Sequence, residues 1–585
     1  MLKEALYHRP KNNFAYAYDE QTLHIRLRAR KDDAWTVQLI YGDPYEWKDG
    51  NWLFKKELML KTGSDAFYDY YLVSVCPEFR RVRYGFELTD SNETIVYTEK
   101  GFFDSAPTTD IAPYFCFPYL YSVDVFRTPD WVKNTVWYQI FPERYANGNS
   151  SNDPQGTLAW GSADPTPTNF FGGDFQGILL HLDHLASLGI NGIYFTPIFK
   201  AASNHKYDTI DYLEIDPQFG TKEEFRQLVE ACHEKGIKVM LDAVFNHSGF
   251  YFGPFQDVLT HQENSNYKNW FHIREFPVVT DPLPNYDTFA FEKTMPKLNT
   301  ANPEVKDYLL HAVRYWTEEF NVDGWRLDVA NEVDHQFWRE FRKTIKSIKP
   351  DAYILGEIWH DAMPWLQGDQ FDAVMNYPFS TLVLDYIARS KINALEFIEK
   401  ISSILHSYPE NVNEVMFNLL GSHDTERILT VTGGNTNKVR QLFVLLLSFP
   451  GTPCIYYGDE IGMTGGRDPG CRKCMEWNPE AQNHELFTDL QHLIRLKKEV
   501  PLFSTKGRIS FLTTEDTPDL LMYVKASDDE RLLFAINTTA SEQKLSPALF
   551  GSAQQLINLW TNEELKPDSA RVMPDDFLML RWNAR

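Results

Sequence analysis

Asp323-Gly324-Trp325-Arg326-Leu327-Asp328-Val329-Ala330-Asn331-Glu332-Val333-Asp334 is the stretch on which the reading of this chain turns. Val322 through Leu327 reads as a short buried strand, apolar and rich in large side chains, with a glycine for close packing. A strongly helical pattern precedes it and another resumes after it. On a strand, Arg326 and Asp328 point to the same face. At the strand's end the guanidinium is expected to hold Asp328 ionised, because an adjacent cation favours the charged form. A carboxylate kept charged and aimed into a cleft is suited to be a nucleophile. A buried Arg–Asp pair that ties a strand to a loop fits the same residues.

Working outward, strand and helix signals alternate from about Val136. Short apolar strands fall at Val136–Ile140, Gly192–Phe195, Ile237–Leu241, Val322–Leu327, Tyr353–Leu355, Ala373–Asn376, Phe417–Leu420 and Cys454–Tyr457. Amphipathic helices lie between them. Gly177–Leu188 spaces Leu182, Leu185 and Leu188 helically, and Lys222–Lys235 gathers Phe225, Leu228, Val229 and Cys232 on one side. Asn302-Pro303-Glu304 opens another helix with an N-cap, a proline in the first turn and an early acid. Eight such repeats predict an α/β chain built on a (β/α)8 TIM barrel. The longest interruption, residues 246–300, follows the third strand and is expected to be an inserted subdomain. Before the barrel, Leu23–Arg28 and part of Val82–Leu88 alternate, with turn-rich pieces between strands. Residues 1–125 are therefore expected to form an N-terminal β-sandwich, 126–505 the barrel, and 506–585 a C-terminal β-sandwich.

Composition narrows the function classes. The 585 residues carry 81 acids against 57 Lys and Arg, a net charge of −24, which argues against nucleic acid or an anionic membrane as partner. Aromatic residues make up 15%, compatible with stacking on sugar faces and equally with an ordinary core. Six dispersed cysteines are too few for a disulfide framework, and Cys471-x-x-Cys474 is a lone pair with little weight for zinc or redox chemistry. Met1–His8 has no apolar core of signal-peptide length and no later run could span a bilayer, so a cytoplasmic protein is expected.

Barrel enzymes work at the C-terminal ends of their strands. There the third strand ends in Asp242-Ala243-Val244-Phe245-Asn246-His247 and the fourth in Arg326 and Asp328. The fifth ends in Gly356-Glu357-Ile358-Trp359 and the seventh in Gly421-Ser422-His423-Asp424. One acid after one strand means little in so acidic a chain; four consistent placements in one barrel point to a site.

These residues resemble the α-amylase superfamily of glycoside hydrolases: Asp242–His247, Gly324–Asp328, Glu357 and Asn418–Asp424 are similar to its four sequence regions, in order. Val329-Ala330-Asn331-Glu332 and Met295-Pro296-Lys297-Leu298-Asn299 look like its neopullulanase, cyclomaltodextrinase and maltogenic amylase group. The resemblance runs almost the whole chain, with a carbohydrate-binding-like N-terminal domain. It implies a retaining α-glucan hydrolase that cleaves α-1,4 and some α-1,6 bonds in cyclodextrins, pullulan and maltooligosaccharides, with transglycosylation. Asp328 would be the nucleophile, Glu357 the acid and then base, and Asp424 a transition-state stabiliser. Arg326 would keep Asp328 anionic, while Glu357, near negative charge and beside Trp359, is expected to have a raised pKa.

The resemblance also implies sugar contacts for Tyr207, His247, His423, Asp468 and Arg472, and an aglycone side formed by Phe289, Glu332 and Trp359. Singly, each histidine reads as well as a structural hydrogen-bonder, the Asp468–Arg472 pair as a loop brace, and Phe289 as core. Asn147, Asn149, Asn152 and Asp153, with Gly172 and Asp174, resemble the group's calcium site, whose oxygen donors suit a hard cation; a solvated turn is the other reading. A homodimer through the N-terminal domain is implied too, with Tyr45 and Trp47 narrowing the partner's cleft. Three rival functions are an oligo-1,6-glucosidase-like enzyme, a non-catalytic amylase-fold sugar binder, and a phosphate-binding barrel isomerase. The last would want a glycine-rich phosphate loop where this chain has Gly421–Asp424.

Overall fold

A computed structural model describes residues 1–504, 507–513 and 518–584. The expected boundary at 505/506 lies outside the described residues. Contacts divide the chain into two compact units, Thr128–Arg389 with Val415–Thr505, and Met1–Arg127 with Ser390–Glu414 and Lys506–Arg585.

The first unit is the barrel. Its strands are β1 (Trp137–Ile140), β2 (Gly192–Phe195), β3 (Lys238–Ala243), β4 (Gly324–Leu327), β5 (Tyr353–Gly356), β6 (Ala373–Val374), β7 (Phe417–Leu419) and β8 (Thr452–Tyr456). All pairings are parallel, in ring order, with β8 beside β1. A parallel bridge between Met375 and Phe417 joins β6 to β7 and completes the ring. Apart from Lys238, every strand residue is buried, as expected for parallel strands covered on both faces. Gly324 is required by this packing, since a Cβ there would stand 2.8 Å from the Tyr353 carbonyl oxygen of β5.

Local signals explain the helices. The expected helix Gly177–Leu188 is two, α1 (Phe175–Leu180) and α2 (Leu182–Leu188), broken at His181, which leaves helical geometry at φ −109°, ψ 13°. The His181 ring stacks on Trp477 at 3.6 Å, a tertiary contact that a leucine count cannot anticipate. In α3 (Lys222–Glu234) Thr221 and Glu224 form a capping box, and Phe225, Leu228, Val229 and Cys232 are buried. Asn302 caps α4 (Pro303–Phe320), and Asp334 caps α5 (His335–Ile348). The segment after β3 holds a helix at Gly253–His261 and returns on itself through bridges Ile273–Tyr286, Phe271–Leu298 and His247–Lys297. That last bridge sets Met295–Asn299 beside the end of β3.

In the second unit, an antiparallel four-stranded sheet (Ala15–Ala17, Leu23–Arg30, Tyr68–Val75, Leu60–Ser64) shares one core with a sheet centred on Val82–Thr89 and Thr36–Gly42. Leu23, Ile25 and Leu27 face that core, as do Val82, Tyr84, Phe86 and Leu88, every second residue of each strand. Toward the C-terminus a six-stranded antiparallel sheet includes Leu521–Ala526, Glu530–Asn537 and Asp576–Asn583 over its own core, with a two-stranded ribbon at Gln543–Lys544 and Arg571–Val572. Among the described residues no helix is long and apolar enough to cross a membrane.

Candidate active site

Arg326, fully buried on β4, is the hub of the site. Its Nη1 hydrogen-bonds Asp328 Oδ1 at 2.7 Å and both Asp242 oxygens at 3.0 Å. Its Nη2 is in ion-pair contact with Glu357 Oε2 at 2.8 Å, without an aligned hydrogen bond. Because Leu327 of β4 pairs with Gly356 of β5, the residues that follow, Asp328 and Glu357, leave the barrel rim side by side. Glu357 Oε2 also accepts the Val329 N–H at 3.0 Å, and Oε1 accepts Trp359 Nε1 at 3.2 Å. Trp359, half exposed, stacks on Tyr377 at 3.5 Å. It thus gives Glu357 a hydrogen-bond donor as well as an apolar neighbour.

The electrostatics correct one sequence expectation. Burial pushes the Asp328 carboxyl well above the usual carboxylate range; Arg326 opposes this, while Glu357 and Asp242 reinforce it. Burial likewise raises Asp242, to about 6, against the pull of Arg326. One guanidinium divided among three carboxyl groups cannot hold Asp328 as an isolated pair would.

Asp242 carries the network onward. It accepts Tyr194 OH at 2.7 Å and Tyr207 OH at 2.9 Å. The Tyr207 ring stacks face to face on His423 at 5.2 Å. Burial drives the His423 pKa well below its ordinary value, with Arg472 adding to the effect, so the ring is neutral. Gln139 Nε2 lies 2.8 Å from His423 Nδ1; donating there, it leaves the ring proton on Nε2, 3.3 Å from Asp424 Oδ2. Arg472 binds Asp424 at 3.1 Å and Asp468 at 3.0 Å, and its Nε donates to the His423 carbonyl at 2.8 Å. Buried Cys471 also contacts that carbonyl, through Sγ at 3.1 Å, which gives it a structural place in this loop.

A second group adjoins the end of β3. His247 is buried, its pKa lowered to about 3 by desolvation, and its Nε2 has no hydrogen-bond partner among the described residues. Phe289 stacks on it at 5.1 Å. Lys297 ties Asn246 to Glu332, whose carboxylate lies 3.3 Å from the ammonium and is exposed.

The loop after β1 holds the oxygen-rich residues. Asp174 Oδ1 accepts N–H bonds from Gly148 and Gly177, and Oδ2 one from Asn149. Asn147 Nδ2 lies 2.8 Å from Asp153 Oδ1, while the Asn149 side chain is taken up by Ser151 and Asn152 is half-buried in the same turn. Gly172, at φ +83°, backs directly onto this cluster: a Cβ there would sit 2.2 Å from Asp153 Oδ1 and 2.3 Å from Asn147 Nδ2. The cradle suits a hard cation held by amide, carboxylate and backbone oxygens. Among the described residues no three His, Cys, Asp or Glu converge on a metal position, so such a site leans on Asn and carbonyl donors.

Sequence reasoning named Asp328, Glu357 and Asp424 but left Asp242, Tyr194 and Gln139 out of the candidate set. Asp242 was visible as a strand-ending acid. Gln139 and Tyr194 belong to β1 and β2, whose ends carry no acid to draw attention, and their roles depend on pairing across the ring.

The description "Alpha amylase, catalytic domain" matches residues 139–501, and "Alpha amylase, N-terminal ig-like domain" matches residues 1–121. A cyclomaltodextrinase from Geobacillus thermopakistaniensis is 59% identical over 569 residues, 97% of each chain. A maltogenic alpha-amylase from Bacillus acidopullulyticus is 58% identical over 587 residues, 100% of each. The solved structure of a cyclomaltodextrinase superposes with a TM-score of 0.92 at 48% identity, covering 100% of this chain and 98% of that one. The barrel with its acids at the strand ends and these end-to-end likenesses lead to one conclusion: the chain is a glycoside hydrolase and belongs to the α-amylase family, in its neopullulanase, cyclomaltodextrinase and maltogenic amylase group.

Proposed function

We propose that this chain is a retaining α-glucan hydrolase that opens α-1,4, and some α-1,6, glucosidic bonds in cyclodextrins, pullulan and starch-derived maltooligosaccharides, with transglycosylation as a second outcome. The observation that carries the reading is the placement of Asp328 and Glu357 on the two terminal nitrogens of one buried guanidinium. Two carboxyl groups held so close suit double displacement, which needs them about 5–5.5 Å apart. Asp328 attacks the anomeric carbon as Glu357 protonates the departing oxygen, leaving a glycosyl ester on Asp328. Water, giving its proton to Glu357, then breaks that ester. Attack by another sugar hydroxyl in place of water gives transglycosylation. The reaction requires Asp328 to attack as a carboxylate and Glu357 to carry the proton that it delivers to the departing oxygen.

Around this pair, Asp424 and His423 would hold hydroxyls of the sugar that is attacked, Arg472 and Asp468 would line the same side, and Tyr207 would present a ring face. The orphaned His247 Nε2 supports a hydrogen bond to that sugar. Trp359, Phe289 and Glu332 would lie on the leaving-group side. Asn147, Asn149, Asn152, Asp153, Gly172 and Asp174 would hold a structural calcium ion, which braces the loop after β1 when bound. The deciding experiment is reducing-sugar release from cyclodextrin by wild type and by Glu357→Gln. The variant should lose about 10²–10⁴-fold in turnover and keep its melting temperature; near-normal turnover would refute the assignment.

A further inference from the structure

Val329 directly follows Asp328 and lies in left-handed backbone, φ 44° and ψ 43°. Among the described residues it is the one β-branched side chain found there. Such a conformation crowds Cβ and its branches against the backbone and persists when the surroundings impose it. The surroundings here are specific. The Asp328 N–H still donates to Ala243 of β3, at 3.0 Å. Beyond the kink, the Glu332 N–H returns to the Val329 carbonyl at 3.1 Å. The Ala330 carbonyl is held at 2.8 Å by Nε1 of Trp338, a fully buried side chain on α5. Between these anchors the Val329 N–H meets a side chain in place of a strand carbonyl: Glu357 Oε2, at 3.0 Å.

Taking Glu357 as the acid–base group proposed above, we infer that the Val329 backbone N–H is a positioning group for the reaction. With Arg326 Nη2, it occupies Glu357 Oε2 and so dedicates Oε1 to exchanging the proton with the glycosidic oxygen and then with water. Among the described residues, Oε1 has only the Trp359 N–H, at 3.2 Å, as a partner. The side chain at 329 contributes nothing to this; the conformation does, and the chain bears its strain to aim one N–H. A carboxyl anchored by one oxygen samples fewer unproductive rotamers, and that benefit appears in the chemical step more than in substrate binding.

The test replaces the residue 329 amide N–H with an ester oxygen, by incorporating the α-hydroxy acid counterpart of valine and keeping the side chain. On cyclodextrin, kcat should fall about tenfold with KM changed less than about twofold. Unchanged kcat overturns the inference, and so does a loss matched by a higher KM and a lower melting temperature, the mark of a merely structural contact. The strain is tested separately by Val329→Asn, since asparagine tolerates this backbone region. Its melting temperature should rise by about 1–3 °C; a fall would overturn the claim of strain. If wild type itself releases no sugar from cyclodextrin, or if Glu357→Gln stays active, the glucan reading falls and takes this inference with it. An active wild type, a dead Glu357→Gln and a fully active ester variant would overturn this inference alone.

Discussion

Arg326 serves three carboxyl groups at once, and that sharing governs how the site titrates. Asp242 is among the groups that raise Asp328, so removing its charge should let Asp328 ionise more readily. Asp242→Asn is therefore expected to move the acid limb of the kcat/KM profile to lower pH. It should also lower kcat, because an amide NH2 replaces one of the two oxygens that orient Tyr207 and Arg326. A pH–rate series on cyclodextrin checks both; an acid limb displaced upward would mean that Asp242 does not act on Asp328 through charge. The chemical types at this site were legible from the strand-end acids. The sign of the Asp328 shift was not, because it depends on burial and on two further carboxyl groups that are distant in sequence.

Strand β4 is pinned at its other end by the first residue of the quoted stretch. Buried Asp323 accepts His233 Nε2 at 2.7 Å, Lys349 Nζ at 2.7 Å, Lys238 Nζ at 3.0 Å and the Val239 N–H at 2.9 Å. Burial alone would raise this carboxyl, but His233, Lys349 and the Val239 N–H hold it well below the usual range. A pKa depressed in the folded state contributes stability that is in full force above the ordinary carboxylate range and is lost as pH falls toward the depressed value. Asp323→Asn should thus cost about 2–3 kcal/mol at pH 7 and lose less on acidification than wild type does. Urea unfolding at neutral and acid pH measures both; equal acid sensitivity in the two proteins would contradict the linkage. The strand itself was readable from its apolar run, α3 from its periodicity and α4 from its cap. The break at His181 was not; there the ring stacks on Trp477, far along the chain.

Two readings concern the molecule entire. If the cradle behind Gly172 takes calcium, chelator should lower the melting temperature by at least about 4 °C, and added calcium should restore it; no shift would count against a resident ion. Tyr45 and Trp47 are large aromatics exposed at 76% and 41%, and a homodimer through the N-terminal domain would cover them. Sedimentation at micromolar protein should then report twice the mass of one chain, and Tyr45→Ala with Trp47→Ala should shift it toward the monomer. A wild-type monomer would end that proposal.

Period-two and helical patterning, caps and the order of strand-end acids determined the barrel, its insertion, the flanking sheets and the acids that follow the barrel strands. These are local properties, carried by which side chains must be buried and which cannot be. Tertiary structure alone decided that one guanidinium is divided among Asp242, Asp328 and Glu357, that Gln139 selects the His423 tautomer, and that Val329 is bent to face Glu357. Each of those depends on closing the ring: it brings groups from separate strands within hydrogen-bond distance in a dry interior, where charge and direction outweigh residue type.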